Sequence, residues 1–312
     1  MKRFIFCALF AAACAALLPL RADSPSRSPW NVTEHVKLED FIIQSHRGAG
    51  GLSTDNTMEA FELGWKMGTY PEADVRTSKD GVLVAFHDAD FKRVVKDADE
   101  ALLQKKVADL THDELAKLDV GSWKGAEFSG HRVPKISDVL ARMTGQPARH
   151  LYLDIKDADL AKLAAEVKEA GVSRQVILAS PKHELIQEWK KLVPESGALI
   201  WIPGTEADKR KRIEALRAAD FAGLTQVQVH VQLPQDAKDL QPGEPFSPSR
   251  KFLIDLSQEL AAKGILFQTL PWKAGRPEVY HQLLDLGLAS FATDHPEVTK
   301  SAVKEYYQRR GK

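Results

Sequence analysis

Short apolar runs alternate with stretches of helical spacing along nearly the whole of this 312-residue chain, and that rhythm restricts the fold more than any other feature. The runs Phe41–Ser45, Tyr70–Val75, Val82–Phe86, Leu151–Ile155, Val176–Ala179, Ala198–Ile202, Val227–Val231, Ile265–Thr269 and Ser290–Thr293 read as strands. Between them, Thr57–Gly68, Ala158–Ala170, His183–Leu192, Asp208–Ala219, Phe252–Lys263 and Pro277–Leu286 carry helical periodicity. Alternation of this kind predicts βα units around a parallel sheet. The Val82–Phe86 run is expected to pair locally, which leaves eight units and predicts an α/β fold of the (β/α)8 TIM-barrel type. A doubly wound open sheet is the other arrangement compatible with the alternation. The rhythm breaks only between residues 89 and 149, where no barrel strand is recognisable. This stretch is expected to be an insertion between barrel strands 2 and 3.

The chain starts with Lys2 and Arg3, runs almost wholly apolar over residues 4 to 20, and then turns polar after Ala22. This is the layout of a secretory signal peptide over residues 1–22. A membrane anchor would need a similar apolar length, but small alanines and the Pro-containing stretch that follows favour cleavage. Residues 23–40 are then an exposed lead-in, and 41–312 the folded domain, exported to the periplasm or the medium with no stable membrane anchor. Cys7 and Cys14 are the only cysteines and both lie in the leader. The mature chain therefore has no disulfides, thiolate metal sites or cysteine nucleophiles. Removing Lys2, Arg3 and Arg21 leaves 40 basic against 43 acidic side chains, a net charge of about −3. With no basic run, nucleic acid is not an expected partner.

Polar residues cluster where the predicted strands end, and in a barrel the C-terminal ends of the strands surround the active site. His46-Arg47-Gly48 follows the first strand, and His87-Asp88 follows the 82–86 run. Glu72 and Asp74 lie two apart on the second barrel strand, so the pleat sends both carboxylates to one face. Asp154-Ile155-Lys156 ends the third. Unpaired charge inside a barrel is costly. Three carboxylates without thiolates suit one hard divalent cation, Mg²⁺ or Ca²⁺. Gly48, Gly50 and Gly51 form a flexible loop whose amides could meet a phosphate. Asn56 is placed to cap the following helix. Gln226, Gln228 and His230 share one strand face that could line a pocket. Trp123 and Trp272 are expected to pack in the core. His35, His112, His131, His150, His183 and His281 lack partner motifs and are expected at the surface.

The ordered set Ser45-His-Arg-Gly-Ala49, Asp55-Asn-Thr57, Glu72-Ala-Asp-Val-Arg76 and Lys79-Asp-Gly-Val-Leu-Val-Ala-Phe-His-Asp88 resembles the signature of the glycerophosphodiester phosphodiesterase family. The likeness continues through Leu110-Thr111, Gly121-Ser-Trp-Lys124, Val133-Pro134, Leu151-Tyr-Leu-Asp-Ile-Lys156 and Leu286-Gly287 to Thr293-Asp-His-Pro296. The resemblance implies a barrel with a segment inserted after the His-Asp pair. It implies metal ligation by Glu72, Asp74 and Asp154, acid/base roles for His46 and His87, and phosphate contacts from Arg47 and Lys156. It further implies hydrolysis of a small phosphodiester to sn-glycerol 3-phosphate and an alcohol through a cyclic phosphate. The chain departs from the family pattern at Asp55 and Asp154, where Glu is usual, and at Gln268-Thr-Leu-Pro271 in place of a Trp-Thr-Val-Asn run. The related sphingomyelinase D-like branch carries Asp at the third-ligand position. A phospholipase D-type lyase is thus one alternative, and a barrel that binds without catalysing is another.

Overall fold

The computed structural model describes residues 27–96 and 98–310. The leader reading for residues 1–22 lies outside the described residues. Among the described residues nine strands form: β1 (Ile43–Ser45), β2 (Tyr70–Thr77), β3 (Leu83–Ala85), β4 (Leu151–Asp157), β5 (Val176–Ser180), β6 (Gly197–Ile202), β7 (Gln226–Val231), β8 (Leu266–Pro271) and β9 (Ser290–Thr293). All but β3 pair in parallel around a ring, and β1 closes it by pairing with both β2 and β9. The open-sheet alternative is thereby excluded. β3 hangs antiparallel on the far end of β2, with Val75 opposite Ala85, so the 82–86 run pairs locally as its position suggests.

Each barrel strand is followed by a helix: α1 (Met58–Lys66), α2 (Ile136–Ala141), α3 (Leu160–Glu169), α4 (His183–Leu192), α5 (Glu206–Ala218), α6 (Arg250–Ala262), α7 (Pro277–Asp285) and α8 (Pro296–Arg310). Local chemistry sets several of the starts. Thr57 caps α1 by accepting from the Ala60 amide, Asp159 caps α3, and Pro277 occupies the first turn of α7, where its missing N–H costs nothing. Three separate apolar layers result. The largest lies between the strands and the helices and includes Leu153, Leu178, Ile200, Val229, Trp189 and Phe291. A small one fills the barrel interior, with Tyr152, Ile177, Ala179 and Leu199. Strands buried on both faces explain why the runs read as continuously apolar rather than alternating.

The third layer belongs to the inserted segment: Phe86, Phe91, Val94, Val95, Val107, Leu110, Leu115, Val120 and Val133 pack on one another. The excursion is therefore shorter than the rhythm break suggests. Ile136, Val139, Leu140 and Met143 join the main layer, so α2 is the second barrel helix, too short for its periodicity to be legible. The excursion docks back on the barrel. Lys79 donates its amide to Leu110 O at 2.8 Å, and Ala85 donates to Pro134 O at 3.1 Å.

Candidate active site

The strand ends named from the sequence converge at one mouth of the barrel. His46, Arg47, Glu72, His87, Asp154 and Lys156 line a single cleft of about 570 Å³, with Asp74 fully buried beneath them. Parallel pairing places Asp74 level with Asp154, and Glu72 level with Tyr152. The carboxylates of Glu72, Asp74 and Asp154 offer atoms that all lie within 4.8 Å of one another, and the residues are only 4%, 0% and 6% exposed.

Three anions this close and this buried need compensation. Lys156 Nζ supplies part of it, 3.0 Å from Asp74 Oδ1 and 2.6 Å from Asp154 Oδ2. Asn56 supplies more: its Nδ2 donates to Asp74 Oδ2 at 2.7 Å and its Oδ1 accepts the Asp74 amide at 2.8 Å. Asn56 is therefore a second-layer support for Asp74 and not the helix cap its position suggests; Thr57 is the cap. Trp201 Nε1 donates to Asp154 Oδ1 at 3.1 Å. Even so, Asp74 Oδ1 meets Lys156 only as an ion pair outside hydrogen-bond geometry, and the buried Arg47 Nε donates no hydrogen bond. Burial, reinforced by Asp74 alongside, pushes the Glu72 carboxyl up to about 7. Burial raises Asp154 as well, against the pull of Lys156. For Asp74 burial is outweighed by Lys156 and its other cationic neighbours, so it sits below the usual carboxylate range. All the donors are oxygens, three carboxylates converge, and one carboxylate oxygen lacks a well-formed hydrogen bond. This donor set fits a hard divalent cation.

Arg47 holds the centre of the cleft from a left-handed backbone (φ 52°), a conformation uncommon for a side chain of this size. The turn aims its amide at Glu72 Oε2, 2.8 Å away. Its guanidinium reaches Asp55 Oδ2 at 2.8 Å and His87 Nε2 at 2.8 Å. Each histidine is oriented by a carboxylate on its Nδ1 edge. His46 Nδ1 lies 2.7 Å from Asp294 Oδ1, and His87 Nδ1 lies 2.7 Å from Asp88 Oδ1. Burial works against charge on His46, but the bond to Asp294 and the nearby Glu72 outweigh it, so its pKa is raised. Arg76 fixes the backbone beneath His87, donating to Phe86 O and His87 O at 3.1 and 2.7 Å.

Opposite this charged wall the cleft is neutral. Trp201 stacks on His230 with ring centres 5.7 Å apart, and Trp272 meets both His230 and His46 edge to face. Burial and the charge of Lys209 push His230 down to about 3, so it is an uncharged aromatic ring at neutral pH. Gln228 lines the cleft as its strand alternation suggests, while Gln226 lies deeper and accepts from Tyr152. Trp272 is a pocket residue rather than a core one, and Trp123 packs on the excursion's core. The glycine loop is not free to cradle a phosphate. The amides of Gly48, Gly50 and Gly51 bond Ser45 O, His46 O and Asp294 O, and a Cβ at Gly48 would lie 2.6 Å from that of Ala60. Of the remaining histidines only His35 is exposed; the others are partly buried, and His131 Nδ1 meets Thr54 Oγ1 at 2.7 Å.

Sequence reasoning assigned no role to Asp294, Trp201 or Arg93. Asp294 lies within the Thr293-Asp-His-Pro296 run at the end of the last barrel strand, the same kind of position that marks His46. Trp201 and Arg93 carry no signal of that sort.

A (β/α)8 barrel whose strand ends gather three carboxylates, two oriented histidines and two phosphate-compatible cations has the makings of a phosphoric diester hydrolase. The chain belongs to the glycerophosphoryl diester phosphodiesterase family, whose pattern it matches over residues 46–298. It is similar to a glycerophosphodiester phosphodiesterase of Caldanaerobacter subterraneus, at 26% identity over 273 residues covering 85% of this chain and 98% of the relative. A human lysophospholipase D is 26% identical over 276 residues, covering 81% of this chain and 82% of that one. Among solved structures, a glycerophosphodiester phosphodiesterase from Agrobacterium tumefaciens superposes with a TM-score of 0.63 at 22% identity, over 84% of this chain and 99% of that one. An Oleispira antarctica phosphodiesterase in complex with sn-glycerol-3-phosphate does so with a TM-score of 0.63 at 21% identity, over 84% and 96%.

Proposed function

We propose that this chain hydrolyses glycerophosphodiesters to sn-glycerol 3-phosphate and an alcohol, with one divalent cation held by Glu72, Asp74 and Asp154. The observation that carries the reading is the pair of histidines on one cleft, each turned by a carboxylate on Nδ1 so that its Nε2 edge is the reactive one. The product named for the Oleispira relative's complex supports the glycerol phosphate half of the substrate.

In the first half-reaction, a neighbouring glycerol hydroxyl attacks phosphorus, and one histidine takes its proton. The other donates a proton to the departing alcohol oxygen, leaving a cyclic phosphate. Water then opens the ring with the two histidines exchanging roles. The raised pKa of His46 favours it as the initial acid, whereas His87 Nε2 accepts a hydrogen bond from Arg47 and takes the hydroxyl proton once Arg47 turns from it to the phosphate. Arg47 and Lys156 stabilise the phosphoryl oxygens as charge builds on them. A divalent cation held by Glu72, Asp74 and Asp154, Mg²⁺ or Ca²⁺ by the chemistry of these ligands, would supply further positive charge to offset the charge that develops in the reaction. The neutral wall of Trp201, His230 and Trp272 lines the same cleft as the phosphate cations, with Lys156 Nζ 5.9 Å over the Trp201 ring, and accommodates a substituent of the diester.

Phosphorus NMR of glycerophosphocholine with the mature protein and Mg²⁺ or Ca²⁺ tests the proposal. The expected product is sn-glycerol 3-phosphate. A cyclic phosphate that persists would replace the hydrolase reading with the lyase, and no turnover of any diester with any divalent cation would leave a binding barrel. Export of the mature chain is part of the proposal, on the strength of the charged start and apolar run in residues 1–22. N-terminal sequencing of protein from the periplasm or medium checks it, with Asp23 expected at the new terminus.

A further inference from the structure

The inserted segment has contacts at the cleft that its own small core does not require. Arg93, from the segment's first turn, donates Nε to Asp88 Oδ2 at 2.6 Å and a terminal nitrogen to Asp88 Oδ1 at 3.2 Å. The same terminal nitrogen lies 2.8 Å from Asp55 Oδ2. Asp55 Oδ2 also accepts from Arg47, Arg47 donates to His87, and His87 Nδ1 is held by Asp88. These contacts close a ring: Arg93, Asp55, Arg47, His87, Asp88 and back to Arg93. Only Arg93 comes from the excursion proper, and its guanidinium stacks over the Trp123 ring at 4.9 Å. The neighbouring Lys124 Nζ and His131 Nδ1 fasten the same segment to Ser53 O and Thr54 Oγ1, beside Asp55.

We propose that Arg93 is a positioning residue, which sets the phosphate-binding Arg47 and the acid/base His87 relative to one another through Asp55 and Asp88. An isolated ion pair with one partner this exposed would do little. A two-point hold on Asp88 combined with a shared carboxylate is different, because it fixes two carboxylates whose other oxygen contacts lie on functional groups. Asp55 is short for this task, and the incoming Arg93 keeps it facing Arg47. The excursion is thereby part of the catalytic constellation although it touches no substrate.

The proposal rests on the acid/base role assigned to His87, and its test separates the two. Arg93→Gln is expected to lower kcat/KM roughly 10- to 100-fold, the scale of a misplaced catalytic group, with KM rising as Arg47 loses its hold. Arg93→Lys is expected to recover part of this. In a His87→Ala background the same Arg93→Gln change is expected to lower kcat by less than about twofold, because the acid/base group it positions is gone, while the rise in KM through Asp55 and Arg47 remains. An equal kcat cost in both backgrounds, or Arg93→Gln turnover within twofold of wild type, overturns the proposal. If the wild-type enzyme turns over no glycerophosphodiester, the side-chain nitrogen resonances of His87 still read the ring. A shift in Arg93→Gln or Arg93→Lys supports the positioning role, and unchanged resonances in both overturn it.

Discussion

The barrel interior holds two polar networks, a lower neutral one around Tyr152 and an upper ionic one at the cleft, which meet where Glu72 lies level with Tyr152 and are built on opposite terms. In the lower layer Tyr152 donates to Gln226, and Gln268 donates to Tyr152 at 3.3 Å and to Ser290 at 2.9 Å while accepting from Gln228. Every one of these groups is neutral and bonded to another. In the upper layer Glu72, Asp74, Asp154, Lys156 and Arg47 are mostly ionic, and Asp74 Oδ1 and Arg47 Nε are left without hydrogen bonds. A satisfied neutral network adds order and some stability. A crowded ionic one is expensive to keep, and perturbed clusters of this kind mark candidate functional sites.

The contrast can be broken most visibly from the upper side. His46→Ala and His87→Ala are each expected to lower kcat by about 10²- to 10⁴-fold, with melting temperatures close to wild type, as measured by steady-state turnover and calorimetry. Near-normal turnover in both variants would remove the acid/base assignment. The lower layer predicts the converse. Gln268→Leu strands donors and acceptors on Tyr152, Gln228 and Ser290, and should cost about 1–3 kcal/mol in denaturant unfolding. Catalysis by the folded variant should be unaffected.

A smaller effect separates the layers by pH. Glu72 titrates near 4.5 in an ordinary setting and is pushed up to about 7 in the folded protein. Between those values the unfolded chain gives up its proton while the folded chain keeps it. The metal-depleted protein should therefore lose stability as pH rises from about 4.5 to about 7, by on the order of 1 kcal/mol per pH unit at most. Glu72→Gln should flatten that slope and Gln268→Leu should not. Unfolding midpoints at pH 5 and pH 8 check both.

How far each layer was legible follows from the same physics. Strands buried on both faces leave continuous apolar runs, so the eight barrel strands and their charges stand out, and with them His46, Glu72, Asp74 and Asp154, while His87 follows the locally paired β3. The helix α2 is hidden because six residues are too few to display a period, and so the excursion looks longer than it is. Asn56 resembles a cap because Asn is common beside helix starts. Its contact with Asp74 depends on a left-handed backbone (φ 57°) and a neighbour 18 residues away. The bond between His46 and Asp294 spans 248 residues and exists only because β9 closes the barrel against β1. Arg93 sits in a charged stretch where one arginine looks like any other until the excursion folds back over Asp55.

On the proposed function, the upper layer is a cation site that serves phosphodiester cleavage. Phosphorus NMR of glycerophosphocholine incubated with chelator-treated protein, before and after a stepwise return of Mg²⁺ or Ca²⁺, tests it directly. No turnover is expected in the depleted protein, and recovery should saturate at one cation per chain, with Asp154→Asn failing to recover at the same concentration. Full turnover after exhaustive chelation, or recovery undiminished in Asp154→Asn, would contradict it.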